Sequence, residues 1–460
     1  MATGTVSVIG LGKLGVSMAA AIASRGFNVI GVDVSKATVD SINAGKAPVQ
    51  ETNLQENIDK NKDRLSATLS HRDAVLSSDI SFVIVPTPSD QNGAFSIKYA
   101  ASAFRAIGQA LKEKREYHLV VLTSTVLPGS TRYGLLPILE HESGKKCGMD
   151  FGLCYSPEFI ALGSVIHDFL NPDFLLVGEF DKRSGDTIEK HYKRIMENDP
   201  PCKRMSIENA ELAKISLNSY ITMKITFANI ITELCEKIPG GDVDAISDAI
   251  GLDKRIGRKY LTGGLGFGGP CFPRDNIALN YFASSLGVRN EIAEATDRFN
   301  RTIPDRFIDR LKQLINPGST VAVLGLSYKP FSCVVEESQG ILMARSLSKQ
   351  NLIVKGFDPL ASREAKRELG DDIEMKGSLK ECLDEADVVL ITTQDPLFSN
   401  LTLKDFQNGK EEVIVVDFWR LLNDKLSGQA GIRYIPVGHG ENTHENVDNL
   451  EKMWRDAHLL

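Results

Sequence analysis

No apolar run in the 460-residue chain approaches the roughly 20 residues needed to cross a bilayer, which excludes a helical membrane protein. Basic charge is not in excess either. The net charge is −7, so neither nucleic acid nor an anionic membrane surface is expected as the main partner. Metal-ligand spacing is missing too: the seven cysteines, at 147, 154, 202, 235, 271, 333 and 382, are scattered and odd in number. Without CxxC pairs or Cys/His clusters, reduced thiols and no metal are expected. Low-complexity segments are absent. The apolar stretch from Val6 to Val32 does not read as a signal peptide, because Gly10, Gly12, Lys13, Gly15, Arg25 and Gly26 interrupt it. A cytoplasmic protein is expected. The composition, 42% hydrophobic and 25% charged, is that of an ordinary globular chain, and the length calls for two or three domains.

What is present is a repeated plan. Thr5-Val-Ser-Val-Ile-Gly10-Leu returns almost unchanged as Thr320-Val-Ala-Val-Leu-Gly325-Leu. Each copy reads as a buried strand entering a tight turn, followed by a helix and a second strand ending in aspartate, Asp33 or Asp358. Later apolar runs, Ser81–Val85 before Pro86-Thr87-Pro88 and Asp387–Ile391 before Thr392-Thr393, continue the pattern. Strands alternating with helices predict an α/β protein with two doubly wound, Rossmann-like parallel-sheet domains. Between them, Glu208 to Lys237 lacks glycine and proline and carries a broad apolar face. It predicts a helix far longer than the usual 11–12 residues or so, of the kind that spans a domain junction or subunit interface. Shorter helices are expected up to about Ile303-Pro304. The boundaries fall at 1–204, 205–315 and 316–460.

Gly10-Leu-Gly12-Lys-Leu-Gly15 follows the first strand and opens a helix, and Asp33 ends the second strand. In that context the glycines suit a pyrophosphate at a helix N-terminus, and Asp33 suits a ribose 2′-OH. Asp33 would repel a 2′-phosphate, so NAD is expected rather than NADP. The C-terminal copy keeps Gly325 but continues Leu-Ser-Tyr-Lys329-Pro. It lacks the dinucleotide fingerprint and suits a nucleotide-bearing substrate or a duplication kept for packing.

Five glycines in seven residues lead to Cys271 in Gly263-Gly-Leu-Gly-Phe-Gly-Gly-Pro-Cys-Phe-Pro-Arg-Asp275. Such a run suits a loop whose backbone lies against a ligand, and a thiol at its end, beside Arg274 and Asp275, reads as a nucleophile or as a buried cysteine after a turn. On the long helix Lys214 and Asn218 are one turn apart and share a face; together they supply the charge and donor that stabilise an alkoxide, or they mark a solvated face. Glu158, in Ser156-Pro-Glu158-Phe159, and Thr125, in Ser124-Thr125-Val-Leu-Pro128, follow apolar strands, where α/β ligands gather. Lys254-Arg255-Ile-Gly257-Arg258-Lys259 is a basic cluster in an acidic chain.

Together these motifs resemble the UDP-glucose/GDP-mannose dehydrogenase family, the nucleotide-sugar 6-dehydrogenases, over nearly the whole chain. The run Phe267-Gly-Gly-Pro-Cys271-Phe-Pro-Arg-Asp275 is the most specific element, and Arg255-Ile-Gly257 is similar to the UDP-glucose branch. The resemblance implies a four-electron, NAD-dependent oxidation of a sugar C6 alcohol to a carboxylate, with Cys271 as nucleophile and Asp275 as its acidic partner. It implies Lys214 and Asn218 as oxyanion contacts, Glu158 as general base and Thr125 as a water-ordering hydroxyl. NAD would contact Gly10, Gly12, Lys13, Leu14, Gly15, Asp33, Pro86, Thr87 and Thr125. The UDP-sugar would contact Glu158, Phe159, Lys214, Asn218, Phe267, Gly268 and Lys329, with Arg255 reaching in from a neighbouring subunit of a homodimer or higher oligomer. Substrate alternatives are a UDP-N-acetylhexosamine or another nucleotide hexose. Remoter readings are a two-electron 3-hydroxyacid or 6-phosphogluconate-type dehydrogenase, or a non-catalytic NAD-binding protein. Five positions depart from the family pattern: Leu162 replaces a second glutamate, Phe174 an arginine, Cys333 and Glu336 alter the motif after Lys329, and Trp419 lies in Asp417-Phe-Trp419-Arg420, where Asp-Gly-Arg-Asn is usual.

Overall fold

Short runs of valine, isoleucine and leucine bounded by glycine, aspartate or proline become fully buried parallel strands in the computed structural model, which describes residues 4–160 and 162–456. The chain packs as two compact units, Met1–Leu217 and Asn218–Leu460. In the first, eight strands form one sheet: β1 Thr5–Ile9, β2 Asn28–Val32, β3 Leu65–Thr68, β4 Ile80–Val83, β5 Leu119–Leu122, β6 Gly152–Tyr155, β7 Leu175–Glu179 and β8 Cys202–Ser206. Their order is β3-β2-β1-β4-β5-β6-β7-β8. Alternate residues of β5 feed two separate cores, Leu119 and Val121 on one face, Val120 and Leu122 on the other. Burial on both faces is what makes these strands read as unbroken apolar runs. The helix Lys13–Ser24 buries Val16, Met18, Ile22 and, between them, Ser17, Ala19, Ala20 and Ala21.

The expected parallel sheet holds for β1 to β6, but β7 pairs antiparallel with β6 through Cys154–Glu179 and Tyr155–Gly178. An apolar run such as Leu175–Val177 carries no direction, so sequence alone could not show this reversal.

The second unit repeats the plan with β9 Thr320–Leu324, β10 Ile353–Phe357, β11 Glu374–Met375, β12 Val388–Ile391, β13 Val413–Asp417 and β14 Ile432–Pro436. Their order, β11-β10-β9-β12-β13-β14, matches the order of β1 to β6, and every pairing is parallel. The helices Val243–Gly251, Phe272–Ser285 and Glu291–Leu311 precede this sheet. The long helix runs from Ile207 to Glu236, one residue earlier at each end than expected. The last of the shorter helices does not stop at Pro304. It continues because Ile303, Ile308 and Leu311 bury in one core with Val321 and Val323 of β9, and tertiary packing outweighs the local cost of proline. Among the described residues, no helix is long and apolar enough to cross a membrane.

Candidate functional site

The glycine turn after β1 separates packing from binding. Gly10 has φ +96°, and a Cβ there would lie 2.1 Å from the Ile84 carbonyl oxygen; one on Gly15 would lie 1.9 Å from the carbonyl oxygen of Gly10. Those two glycines are required by the chain itself. A Cβ on Gly12 would meet nothing within 4 Å, so its missing side chain leaves room for something outside the chain. Gly12 is also the N-cap of the helix Lys13–Ser24, and Lys13 and Leu14 form its first turn. Amide N–H groups and the positive end of the helix dipole are thereby presented to an anion. Asp33 follows β2 and is half-buried; its Oδ2 accepts from Leu11 N at 2.8 Å and its Oδ1 from Ser35 N at 2.8 Å. The carboxylate is thus fixed beside the turn.

Two neighbouring strand ends complete this edge. Ser124 Oγ donates to the Val85 carbonyl at 2.7 Å and accepts from Val85 N at 2.8 Å. Thr87 Oγ1 donates to the Thr125 carbonyl at 2.7 Å. Pro86, Thr87 and Thr125 therefore lie together at the C-terminal ends of β4 and β5. Strand order reverses next to them, between β1 and β4, and it is outside such a switch point that doubly wound sheets bind ligands.

Glu158 and Phe159 lie beyond the end of β6, and Lys214 Nζ donates to the Glu158 carbonyl at 2.7 Å. The same ammonium sits 4.5 Å from the centre of the Phe159 ring, and Phe159 in turn packs on Phe174 with ring centres 4.8 Å apart. Phe174 therefore supplies apolar surface at the position expected to hold arginine. Loss of hydration pushes the Glu158 carboxyl up to about 8, against the opposing pull of the Lys214 charge. Glu211, one turn before Lys214, accepts from Gly129 N at 2.6 Å and Thr131 N at 2.9 Å. It pins the loop that follows Thr125, a link across about eighty residues that no local pattern announces. Leu162 is half-buried.

In the second unit Cys271 is exposed and is the N-cap of the helix Phe272–Ser285, with proline in the first turn. A thiolate there gains from the helix dipole. Asp275, one turn on, is buried; it accepts from Asn218 Nδ2 at 2.6 Å and lies 3.7 Å from Arg274 Nε. Protein neighbours lie close against three of the glycines before Cys271. A Cβ would lie 1.9 Å from Thr232 Oγ1 at Gly263, 2.1 Å from Asn300 Oδ1 at Gly266 and 2.3 Å from the Glu337 carbonyl oxygen at Gly268.

Three residues to which the sequence assigned no role hold this loop. Asn229 Oδ1 accepts from Gly264 N at 2.8 Å, and its Nδ2 donates to the Leu265 carbonyl at 3.0 Å. Asn300 grips the peptide of Phe267 in the same manner. Arg420 follows β13 with φ +60° and donates to both carboxylate oxygens of Asp244 and to the carbonyls of Gly263, Phe418 and Val437. Polar residues on buried helix faces were the available signal for the two asparagines. For Arg420 the signal was a positive charge directly after a buried strand. Trp419 packs on Gly264, whose Cβ would lie 3.2 Å from the indole.

Arg255 is exposed and pairs with Asp253 at 2.6 Å. Its loop is supported by Lys224 Nζ, which donates to the carbonyls of Ile256, Gly257 and Lys259. Lys329 is half-buried in the turn after β9, with Nζ 5.8 Å from the Tyr328 ring centre; Cys333 is half-buried nearby in sequence. The Glu336 carbonyl accepts from Gly269 N at 2.9 Å. Asp358 differs from Asp33: it is buried and accepts from Leu326 N, Ser327 N, Ser327 Oγ, Leu360 N and Ala361 N. It is consumed in its own turn, consistent with a C-terminal sheet that lacks the dinucleotide fingerprint.

Two nucleotide-type sheets and a glycine turn shaped for a pyrophosphate belong to the class of NAD-dependent oxidoreductases. The chain belongs to the UDP-glucose/GDP-mannose dehydrogenase family. The model of that family's NAD binding domain matches residues 4–196, its central domain 208–302 and its UDP binding domain 322–424. A UDP-glucose 6-dehydrogenase of Haloferax volcanii is 34% identical over 91% of this chain and 97% of its own. A GDP-mannose 6-dehydrogenase of Pseudomonas aeruginosa is 36% identical over 90% of this chain and 96% of its own. The structure of a UDP-glucose dehydrogenase from Pyrobaculum islandicum superposes with a TM-score of 0.86 at 33% identity, covering 95% of this chain and 98% of that one. NAD is the cofactor, and the open space at Gly12 and the fixed carboxylate of Asp33 fit it.

Proposed function

We propose that the protein oxidises the C6 alcohol of UDP-glucose to the carboxylate, consuming one water and two NAD. The observation that carries this reading is Cys271, an exposed thiol at a helix N-terminus at the end of a braced loop. Support for UDP-glucose comes from Arg255-Ile-Gly257 and the match to a UDP binding domain. When bound, NAD accepts hydride at both oxidations, alcohol to aldehyde and thiohemiacetal to thioester. Lys214 Nζ and the second N–H of the Asn218 amide stabilise the oxyanion of the first oxidation. Cys271 Sγ then bonds to the aldehyde carbon as the C=O pair moves to oxygen and takes up the thiol proton, which keeps the aldehyde from escaping while cofactors exchange. Glu158 takes a proton from water ordered by Thr125 as that water attacks the thioester, releasing the carboxylate and the Cys271 thiol. Lys329, together with Arg255 from a neighbouring subunit, holds the sugar nucleotide, and Asp275 orients Asn218.

The three parts 1–204, 205–315 and 316–460 are proposed as the NAD, dimerisation and nucleotide-sugar domains. A homodimer is supported by an apolar groove between the long helix and the helix Glu291–Leu311, lined by Met223, Phe227, Ile230, Ile292 and Phe299.

Absorbance at 340 nm with NAD and UDP-glucose, GDP-mannose or UDP-N-acetylmannosamine tests the substrate. UDP-glucose should give the highest kcat/KM and two NADH per sugar. A clear preference for GDP-mannose would transfer the same chemistry to the other nucleotide. The cofactor assignment has its own check. Asp33→Ala should lower kcat/KM with NAD by roughly 10–100-fold, since hydrogen bonds to a charged group contribute about 1.5–3 kcal/mol, and should narrow the preference over NADP. Wild-type protein working equally well with NADP would remove Asp33 from that role.

A further inference from the structure

Phe267 stands four residues before Cys271, and its peptide is gripped on both sides by one side chain. Asn300, on the helix Glu291–Leu311, accepts from Phe267 N through Oδ1 at 2.8 Å and donates from Nδ2 to the Phe267 carbonyl at 2.9 Å. A neighbouring β-strand would offer the same pairing; here a single carboxamide supplies it. Gln339 Nε2 adds a longer hydrogen bond to the same carbonyl at 3.4 Å. Asn300 is 6% exposed, so both ends of a buried carboxamide are spent on the loop. Asparagine is a poor choice for helix stability alone, because its side chain competes with the backbone. Beyond Phe267 the chain has little slack. Gly268 lies against the Glu337 carbonyl oxygen, and Gly269 N donates to the Glu336 carbonyl at 2.9 Å before Pro270 leads into Cys271. A displacement at Phe267 is therefore passed on rather than absorbed.

We infer that Asn300 is a positioning residue that sets where the loop delivers Cys271, acting through the Phe267 peptide. This rests on Cys271 being the nucleophile. Asn300→Asp keeps the acceptor for Phe267 N–H, but it can donate to the Phe267 carbonyl only while its carboxyl is protonated. Its kcat with NAD and UDP-glucose, as a ratio to wild type, should be nearest normal at pH 6. By pH 9 that ratio should fall about tenfold, the effect of roughly one hydrogen bond turned to repulsion. Asn300→Leu should be impaired at every pH. KM for NAD should stay within about twofold of wild type in both variants, because a lost transition-state contact lowers kcat without touching uniform binding.

The direct readout is the rate at which iodoacetamide alkylates Cys271, followed by peptide mass spectrometry. In Asn300→Asp its ratio to wild type should drift with pH alongside kcat. Folded variants that match wild type in both kcat and alkylation overturn the inference. So does failure of both variants to fold, since Asn300 would then support the core rather than the loop. If Cys271→Ser turned over normally while alkylation still followed Asn300, the proposed function would fall, and Asn300 would place the Cys271 loop without bearing on catalysis. If Cys271→Ser is inactive and the Asn300 variants behave as wild type, this inference alone fails.

Discussion

Cys271→Ser should lose steady-state NADH production by on the order of 10³-fold or more, the scale seen when a covalent nucleophile is removed, while still binding NAD and sugar nucleotide. Serine keeps the size and the helix N-cap position of Cys271, so the fold has no reason to change. What changes is the fraction of nucleophilic anion at neutral pH, which a hydroxyl lacks unless a base activates it. Offered the 6-aldehyde directly, the variant should oxidise it very slowly. Reduction of that aldehyde to the alcohol with NADH should survive, since Lys214 and Asn218 suffice for an oxyanion. The decisive quantity is NADH formed per sugar consumed by the wild type, expected to be two. A ratio of one, or a serine variant with unchanged turnover, would make Cys271 structural.

The sheets were legible because their strands carry their own signature. Thr5–Ile9 and Thr320–Leu324 are apolar runs ending in a glycine that only a tight turn requires, and both occupy the same place in sheets of the same order. The long helix was legible within one residue at each end, because no glycine or proline interrupts it. Direction and support were not. The reversal at β7 leaves no trace in composition. The loop glycines were expected to bring backbone close to a ligand; Gly263, Gly266 and Gly268 also press against Thr232, Asn300 and Glu337. Sequence reports that side chains are forbidden there, not what forbids them. The tethers Asn229, Asn300 and Arg420 act over separations of 35, 33 and 157 residues. Each looks locally like an ordinary polar residue, and only the folded chain brings it to the loop. The same holds for Phe174, whose value as a ring against Phe159 is invisible where an arginine was expected.

Glu158→Gln should slow turnover by about 10²–10⁴-fold, the usual worth of general-base assistance, and should change what accumulates. Glutamine keeps the shape and the backbone carbonyl that Lys214 Nζ contacts at 2.7 Å, so oxidation to the thioester should proceed while hydrolysis stalls. Intact-protein mass spectrometry should then show a covalent adduct that Cys271→Ser removes. The pH dependence adds an independent check. Burial disfavours the charged carboxylate and lifts Glu158 to about 8, Lys214 opposing the rise. A general base works only when deprotonated, so the wild-type hydrolysis rate should climb with pH up to about 8 and level off above it. That limb should vanish in Glu158→Gln, which has nothing to ionise. Phe174→Arg, which exchanges apolar surface for a positive charge beside Phe159, should move the limb to lower pH by favouring the carboxylate. If Glu158→Gln turned over at the wild-type rate, or kept the same limb, another group would be activating the water.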